Sequence, residues 1–133
     1  MSVAETRRVV EGYLGAHGSE WLAEGVEFVE PAQPAPHRGR EEVVGWLGRF
    51  YGSAFSDATA ESRSLLVDDG RAAYEFVFSG RHTGSLFGEQ PTGRTVSVPM
   101  VALYDVAGGE IAAGRLYYDA GRLRHDLGAA AAG

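Results

Sequence analysis

The sequence predicts an α+β domain in which N-terminal helices cover one face of a curved antiparallel sheet that wraps into a cone. Three observations carry this. The first half holds two stretches of helical period with a short alternating stretch between them. The second half places apolar residues at every second position between clear turn signals, the pattern of long antiparallel strands. And 133 residues is the length of a single domain.

Ser2-Val3-Ala4-Glu5 has the form of a capping box, and Val3, Val10, Tyr13, Leu14 and His17 follow at helical spacing as far as Gly18. Residues 20–23 can add one further helical turn. Val26 and Phe28 alternate with Glu27, which predicts a short strand ending at Glu30-Pro31. The proline-rich segment 31–39 reads as a loop. From Arg40 the series Val43, Trp46, Leu47, Phe50 and Tyr51 predicts a second long helix closed by Gly52-Ser53. Strands are then expected over 59–67, 71–82, 95–106 and 110–118, with Asp68-Asp69-Gly70 and Gly108-Gly109 as hairpin turns. Asp119 caps a short terminal helix. Residues 1–128 form the domain, and 129–133 a frayed tail. On the strand over 71–82, Tyr74, Phe76, Phe78 and His82 share one face while Glu75, Ser79 and Arg81 share the other, so the aromatic face lines the interior.

With 44% hydrophobic and 11% aromatic residues the chain can bury a sizeable core, which excludes intrinsic disorder. There is no cysteine, so disulfides, thiolate nucleophiles and thiolate metal sites are excluded together. All 12 basic residues are arginine, which leaves no lysine for Schiff-base chemistry. A net charge of -6 with scattered arginines disfavours nucleic acid. No apolar run approaches the roughly 20 residues of a membrane span, and Met1-Ser2-Val3-Ala4-Glu5 lacks the layout of a signal peptide, so a cytoplasmic location is expected. His17, His37, His82 and His125 show no paired metal-ligand spacing, and residues 84–88 are not followed by the lysine of a phosphate loop. Neither metal nor cofactor is expected.

The stretch Phe87-Gly88-Glu89-Gln90-Pro91-Thr92-Gly93-Arg94, with Gly109-Glu110-Ile111 and Arg115-Leu116-Tyr117-Tyr118-Asp119, resembles the SnoaL-like polyketide cyclases of the nuclear-transport-factor-2-like superfamily. The resemblance spans nearly the whole chain. It implies cofactor-free acid–base chemistry on a hydrophobic, polyketide-like small molecule, within secondary metabolism such as antibiotic biosynthesis. Val29-Glu30-Pro31, Pro36 and Gly39-Arg40-Glu41 look like the Asp-Pro…Gly-Arg-Glu segment of ketosteroid isomerases, which puts Glu30 at the place of their catalytic base and Tyr13 at that of their oxyanion tyrosine. The acid that completes their oxyanion hole falls at Met100, which cannot donate such a bond. Limonene epoxide hydrolases carry an Arg-x-Asp pair and a further Asp where this chain has Arg81-His82-Thr83 and Leu116. Epoxide-opening cyclases pair two carboxylates, for which Glu30 and Glu61 are the candidates. An acid near the end of the last strand serves as base in SnoaL-like cyclases, and Asp119 stands there.

Four residues are therefore candidates for chemistry. Glu30 enters the cone, where an apolar wall holds a carboxyl's proton affinity high; the plain alternative is a solvated glutamate before proline. Asp119 is either a base or simply a helix cap. His82 can hang over the cavity mouth and shuttle a proton, or belong to a turn. Tyr13 is an oxyanion donor or a core tyrosine. Trp46, Phe50, Phe76, Phe78, Met100, Leu116 and Tyr118 are the expected pocket lining. A cyclase is the first reading; an epoxide-opening enzyme, an isomerase or a non-catalytic binding module are the alternatives. Val77, Val101, Leu103 and Tyr117 on the outer sheet face predict a homodimer.

Overall fold

Ser2 opens the first helix as expected: its Oγ accepts the Glu5 N–H at 3.1 Å, and helix α1 runs Val3–Ala16 until His17 turns left-handed at φ 53°. The computed structural model describes residues 2–128, so the predicted tail over 129–133 lies outside the described residues. Thr6, Val9, Val10 and Tyr13 form the buried stripe of α1. Thr6 Oγ1 also accepts the Gly70 N–H at 2.9 Å, which ties the helix to a hairpin turn 64 residues away.

One turn of 3₁₀ helix, Ser19–Trp21, takes the place of the turn expected over 20–23, because Leu22 already enters strand β1 (Leu22–Glu30). The segment expected as a loop contains a second strand, β2 (Gln33–Arg38), which pairs antiparallel with β1 through Glu27↔Arg38, Phe28↔His37 and Glu30↔Gln33. Its prolines are compatible with pairing because β2 is the sheet edge, where one side of the strand needs no N–H. Helix α2 (Arg40–Leu47) is shorter than its apolar period suggests, since the chain widens into a π turn at Gly48–Ser53 that still buries Phe50.

Strands β3 (Phe55–Asp68), β4 (Arg71–His82), β5 (Thr95–Ala107) and β6 (Glu110–Tyr117) follow in meander order, and helix α3 (Ala120–Asp126) closes the described chain. The sheet runs β2-β1-β6-β5-β4-β3, antiparallel throughout except for the parallel β1/β6 pair. Gly108 and Gly109 both have positive φ, the conformation a tight β5–β6 hairpin requires. Two register shifts in β3, at Ser56/Thr59 and Ser62/Ser64, bend that edge and leave the sheet curved and unclosed.

Inner and outer faces are as the alternation predicts: Val96, Val98, Met100, Ala102, Tyr104 and Val106 of β5 are all buried, as are Phe76 and Phe78 of β4. Phe28 reaches this interior by lying flat across β6, where a Cβ on Gly114 would come within 2.6 Å of its ring. On the outer face Arg115 grips Asp105 with two bonds, 2.9 and 3.2 Å, beside the β5–β6 register shift, and Arg71 adds a third contact at 3.3 Å. This clamp holds the Asp105 carboxyl below its ordinary pKa, chiefly through the Arg115 hydrogen bond.

Candidate active site

The two helices and the inner sheet face enclose a cavity of about 1030 Å³. Tyr13 of α1, Phe28 of β1, Trp46 of α2 and Tyr51 of the π turn meet Phe76, Phe78 and Tyr104 of the sheet around it. The rings interlock edge-to-face: Tyr13 lies 6.4 Å from Phe28 and 5.9 Å from Tyr104, and Tyr51 lies 5.0 Å from Phe78. Leu14 and Arg7 of α1 and Ser62 and Arg63 of β3 form the rim.

Of the expected lining, Trp46, Phe76, Phe78 and Leu116 face this cavity together with Tyr13. Phe50, Met100 and Tyr118 are not part of its wall, and the first two are buried in the core. Met100 Sδ accepts the Tyr51 hydroxyl at 3.5 Å, and Phe50 packs 5.9 Å from Tyr118. Tyr74 lines it on the aromatic face that the alternation assigns, and Tyr51 and Tyr104 contribute lining that the sequence reading did not select, although Tyr104 carries the inward parity of its strand.

Glu30 ends β1 with its side chain only 5% exposed. Its Oε1 accepts the Ala32 N–H at 2.5 Å, a bond made by the turn through Pro31. Its Oε2 lies 3.8 Å from Nε2 of His37, too far for a hydrogen bond, and that nitrogen is buried without any partner. The His37 ring stacks on Trp46 at 4.6 Å and 13°, and its Nδ1 lies 3.7 Å from the half-exposed Glu42 carboxylate. Sequence reasoning missed His37 because a loop has no inside; once β2 pairs with β1, Phe28↔His37 places it beside the inward-facing Phe28 and Glu30.

Glu30 is not in the cavity wall itself, whereas its neighbour Tyr51 and Trp46, on which His37 stacks, are. Burial pushes the Tyr51 and Tyr118 hydroxyl pKa values well above their ordinary value, and the nearby Glu30 carboxylate adds to both. Burial likewise raises Tyr13 and Tyr104. The hydroxyls of Tyr13 and Tyr118 are buried without a hydrogen-bond partner. These phenols thus remain neutral donors over the physiological range, and two have nothing to donate to.

The remaining candidates lie elsewhere. His82 does not hang over the mouth: it is fully buried at the end of β4, where its Nδ1 accepts the Thr92 N–H at 3.2 Å. Pairing of the chain with itself, His82 N–H to Arg94 O and Gly93 N–H to His82 O at 2.8 Å each, draws that residue inward. Asp119 is exposed and caps α3 through Arg122 N–H at 2.9 Å. Glu61 faces solvent against Arg63 at 2.7 Å, so it supplies no carboxyl beside Glu30. Among the described residues no cluster of three or more His, Asp or Glu could hold a metal ion, and no helix is long and apolar enough to cross a membrane.

The family model for SnoaL-like polyketide cyclases matches residues 15–127. The chain belongs to this family. No curated protein matches the sequence. Among solved structures, a protein from Jannaschia sp. CCS1 provisionally assigned as a SnoaL-like polyketide cyclase superposes with a TM-score of 0.84 at 16% identity, over 93% of this chain and 92% of that one. TsrD from Streptomyces laurentii gives 0.76 at 26% identity, over 97% and 98%. A protein from Catenulispora acidiphila DSM 44928 with a ketosteroid isomerase-like fold, solved in complex with trimethylamine, gives 0.73 at 22% identity, over 92% and 94%. The architecture is therefore the nuclear-transport-factor-2-like, ketosteroid isomerase-like cone.

The tyrosines make a test of the dry interior. Because the folded-state pKa values of Tyr13, Tyr51, Tyr104 and Tyr118 lie above the unfolded value of about 10, their contribution to stability is complete below that pH and is lost as pH rises beyond it. In an alkaline titration the phenolate absorbance of these four should appear together with the loss of far-ultraviolet circular dichroism. Their stepwise ionisation in a chain that stays folded would show a wet cavity.

Proposed function

We propose that this SnoaL-like protein is a cofactor-free acid–base enzyme of the cytoplasm that closes a ring in a hydrophobic, polyketide-like small molecule, with Glu30 as the base. The observation that carries this is a buried carboxylate just outside the wall of an aromatic cavity, with one oxygen fixed by a backbone N–H and the other 3.8 Å from a buried His37 nitrogen that lacks a partner.

Abstraction of an acidic C–H proton by Glu30 Oε2 leaves an enolate whose oxygen needs donors. The neutral hydroxyls of Tyr13 and Tyr51 on the cavity wall supply them. The enolate carbon then attacks a carbonyl of the same folded substrate, and the alkoxide so formed takes up a proton. The aromatic walls hold the chain of the substrate in a bent, near-attack shape. Tyr51, on the π turn, lines the cavity and neighbours the carboxylate, so a shift of its ring opens Glu30 to the substrate; π turns commonly occur at functional sites. Ketosteroid-type isomerisation would share the same base and donors, but Met100 occupies the place of the second donor. Epoxide opening lacks its second carboxyl, since Glu61 is in solvent.

The outer sheet face supports a homodimer: Val77, Val101 and Leu103 are only half-buried and Tyr117 is 53% exposed. A second copy covers this face. Sedimentation should give the dimer at micromolar concentration, whereas a species of only 14.2 kDa would refute the pairing.

Glu30→Gln keeps size and the Ala32 bond but cannot take a proton, so turnover should fall by about 10²–10⁴ fold with the fold intact. Asp119→Asn should do less, because asparagine still caps α3. Fluorescence of Trp21 and Trp46 on ligand addition checks pocket integrity in both variants. Wild-type turnover in Glu30→Gln with loss in Asp119→Asn would move the chemistry to the end of β6.

A further inference from the structure

We propose that His37 and Glu42 form a proton relay that connects the buried Glu30 carboxylate to solvent, a role that rests on the reading of Glu30 as base. Three carboxylate and imidazole groups lie in a line from interior to surface. Glu30 Oε2 is 3.8 Å from His37 Nε2, and His37 Nδ1 is 3.7 Å from Glu42 Oε1. The side chains of Glu30 and His37 are 5% and 4% exposed, and that of Glu42 is 49% exposed. A base buried this deeply has no water of its own on the cavity side once an apolar substrate fills the cone, and the His37 imidazole lies between it and the half-exposed Glu42.

The arrangement is built rather than incidental. His37 is 3% exposed, its Nε2 has no hydrogen-bond partner, and its ring plane is fixed by stacking on Trp46. A buried, unpartnered polar atom is costly, and a purely structural ring would be replaced by an apolar one at no loss. Glu42 is held in the first turn of α2, where its Oε2 accepts the Arg38 N–H at 3.1 Å. The Arg38 side chain itself is turned to Glu27 at 2.8 Å, so it does not neutralise the relay. Both gaps are longer than hydrogen bonds, so the relay requires each glutamate to turn about its broad terminal torsion while its other oxygen keeps, or briefly gives up, its backbone N–H.

The transfer balances. Glu30 Oε2 takes the substrate proton while the C–H electron pair stays on carbon. The acid proton passes to His37 Nε2, the Nδ1 proton passes to Glu42 Oε1 and then to water, and the ring is left protonated on Nε2. The return of one proton by the reverse route to the product alkoxide restores the first tautomer. One proton out and one back is the stoichiometry of a ring closure or isomerisation, so the ring resets once in each turnover.

The test follows hydrogen–deuterium exchange of 2-tetralone, an apolar bicyclic ketone with an acidic C–H, by the full chain in D2O. Wild type should exchange it faster than buffer, and Glu30→Gln no faster than buffer. His37→Gln and the surface variant Glu42→Gln should each exchange on the order of 10-fold more slowly, because the proton on Glu30 returns to carbon before solvent replaces it. Free imidazole should accelerate His37→Gln and leave wild type unchanged. If only Glu30→Gln fails to exchange, while the other variants match wild type and ignore imidazole, the relay is overturned and the base stands. If wild type does not exceed buffer, or Glu30→Gln exchanges as wild type does, the base reading falls and the relay with it. Exchange by Glu42→Gln at the wild-type rate overturns the relay whether or not His37→Gln folds.

Discussion

A carboxylate held out of water at the end of β1 is the constraint around which the rest of the molecule is arranged. Removing such an ion from water costs several kcal/mol, so it persists only where bonds and nearby dipoles repay part of the loss. Here the turn through Pro31 supplies the Ala32 N–H, and the return strand β2 brings the His37 ring to the second oxygen. An arginine at this position of the wall would satisfy Glu30 fully and remove its reactivity; every arginine that pairs in the described structure does so at the surface or on the outer face.

The fold serves this site through curvature. Bulges in β3 and the register shift of β5–β6 bend the sheet, and the bent sheet leaves room between its inner face and the helices that a flat one would fill with side chains. Large rings then line the space without closing it, because edge-to-face packing spaces them about 5–6 Å apart. The same rings fix polar groups by stacking, as Trp46 does for His37, so that the apolar wall and the placement of the chemistry have one cause.

Much of this is visible in the sequence. The strict alternation of β4 and β5 assigns the inner face residue by residue, and the Ser2 and Asp119 caps sit where the sequence places them. Three features escape a local reading for physical reasons. Pro34 and Pro36 mark a loop by propensity, yet an edge strand tolerates them, and with β2 went the position of His37. The apolar period of α2 continues through Phe50 and Tyr51, but period alone cannot tell a π turn from an α-helix, so the lining place of Tyr51 is tertiary. Parity put His82 on the inner face correctly, and only the pairing with Arg94 and Thr92 decides that it sits inside the wall rather than over the mouth.

The central claim is that a small apolar substrate in the cone meets the Glu30 carboxylate. A crystal structure of the protein with 2-naphthol, a planar aromatic whose hydroxyl mimics an enolate oxygen, tests it most directly. The account predicts the rings between Tyr13, Phe76 and Tyr104, the Tyr51 ring moved aside, and the naphthol oxygen in hydrogen-bond reach of a tyrosine hydroxyl with Glu30 exposed to the ligand. A ligand seated in the cone with Glu30 still outside the cavity wall, or bound only outside the cone, would contradict it.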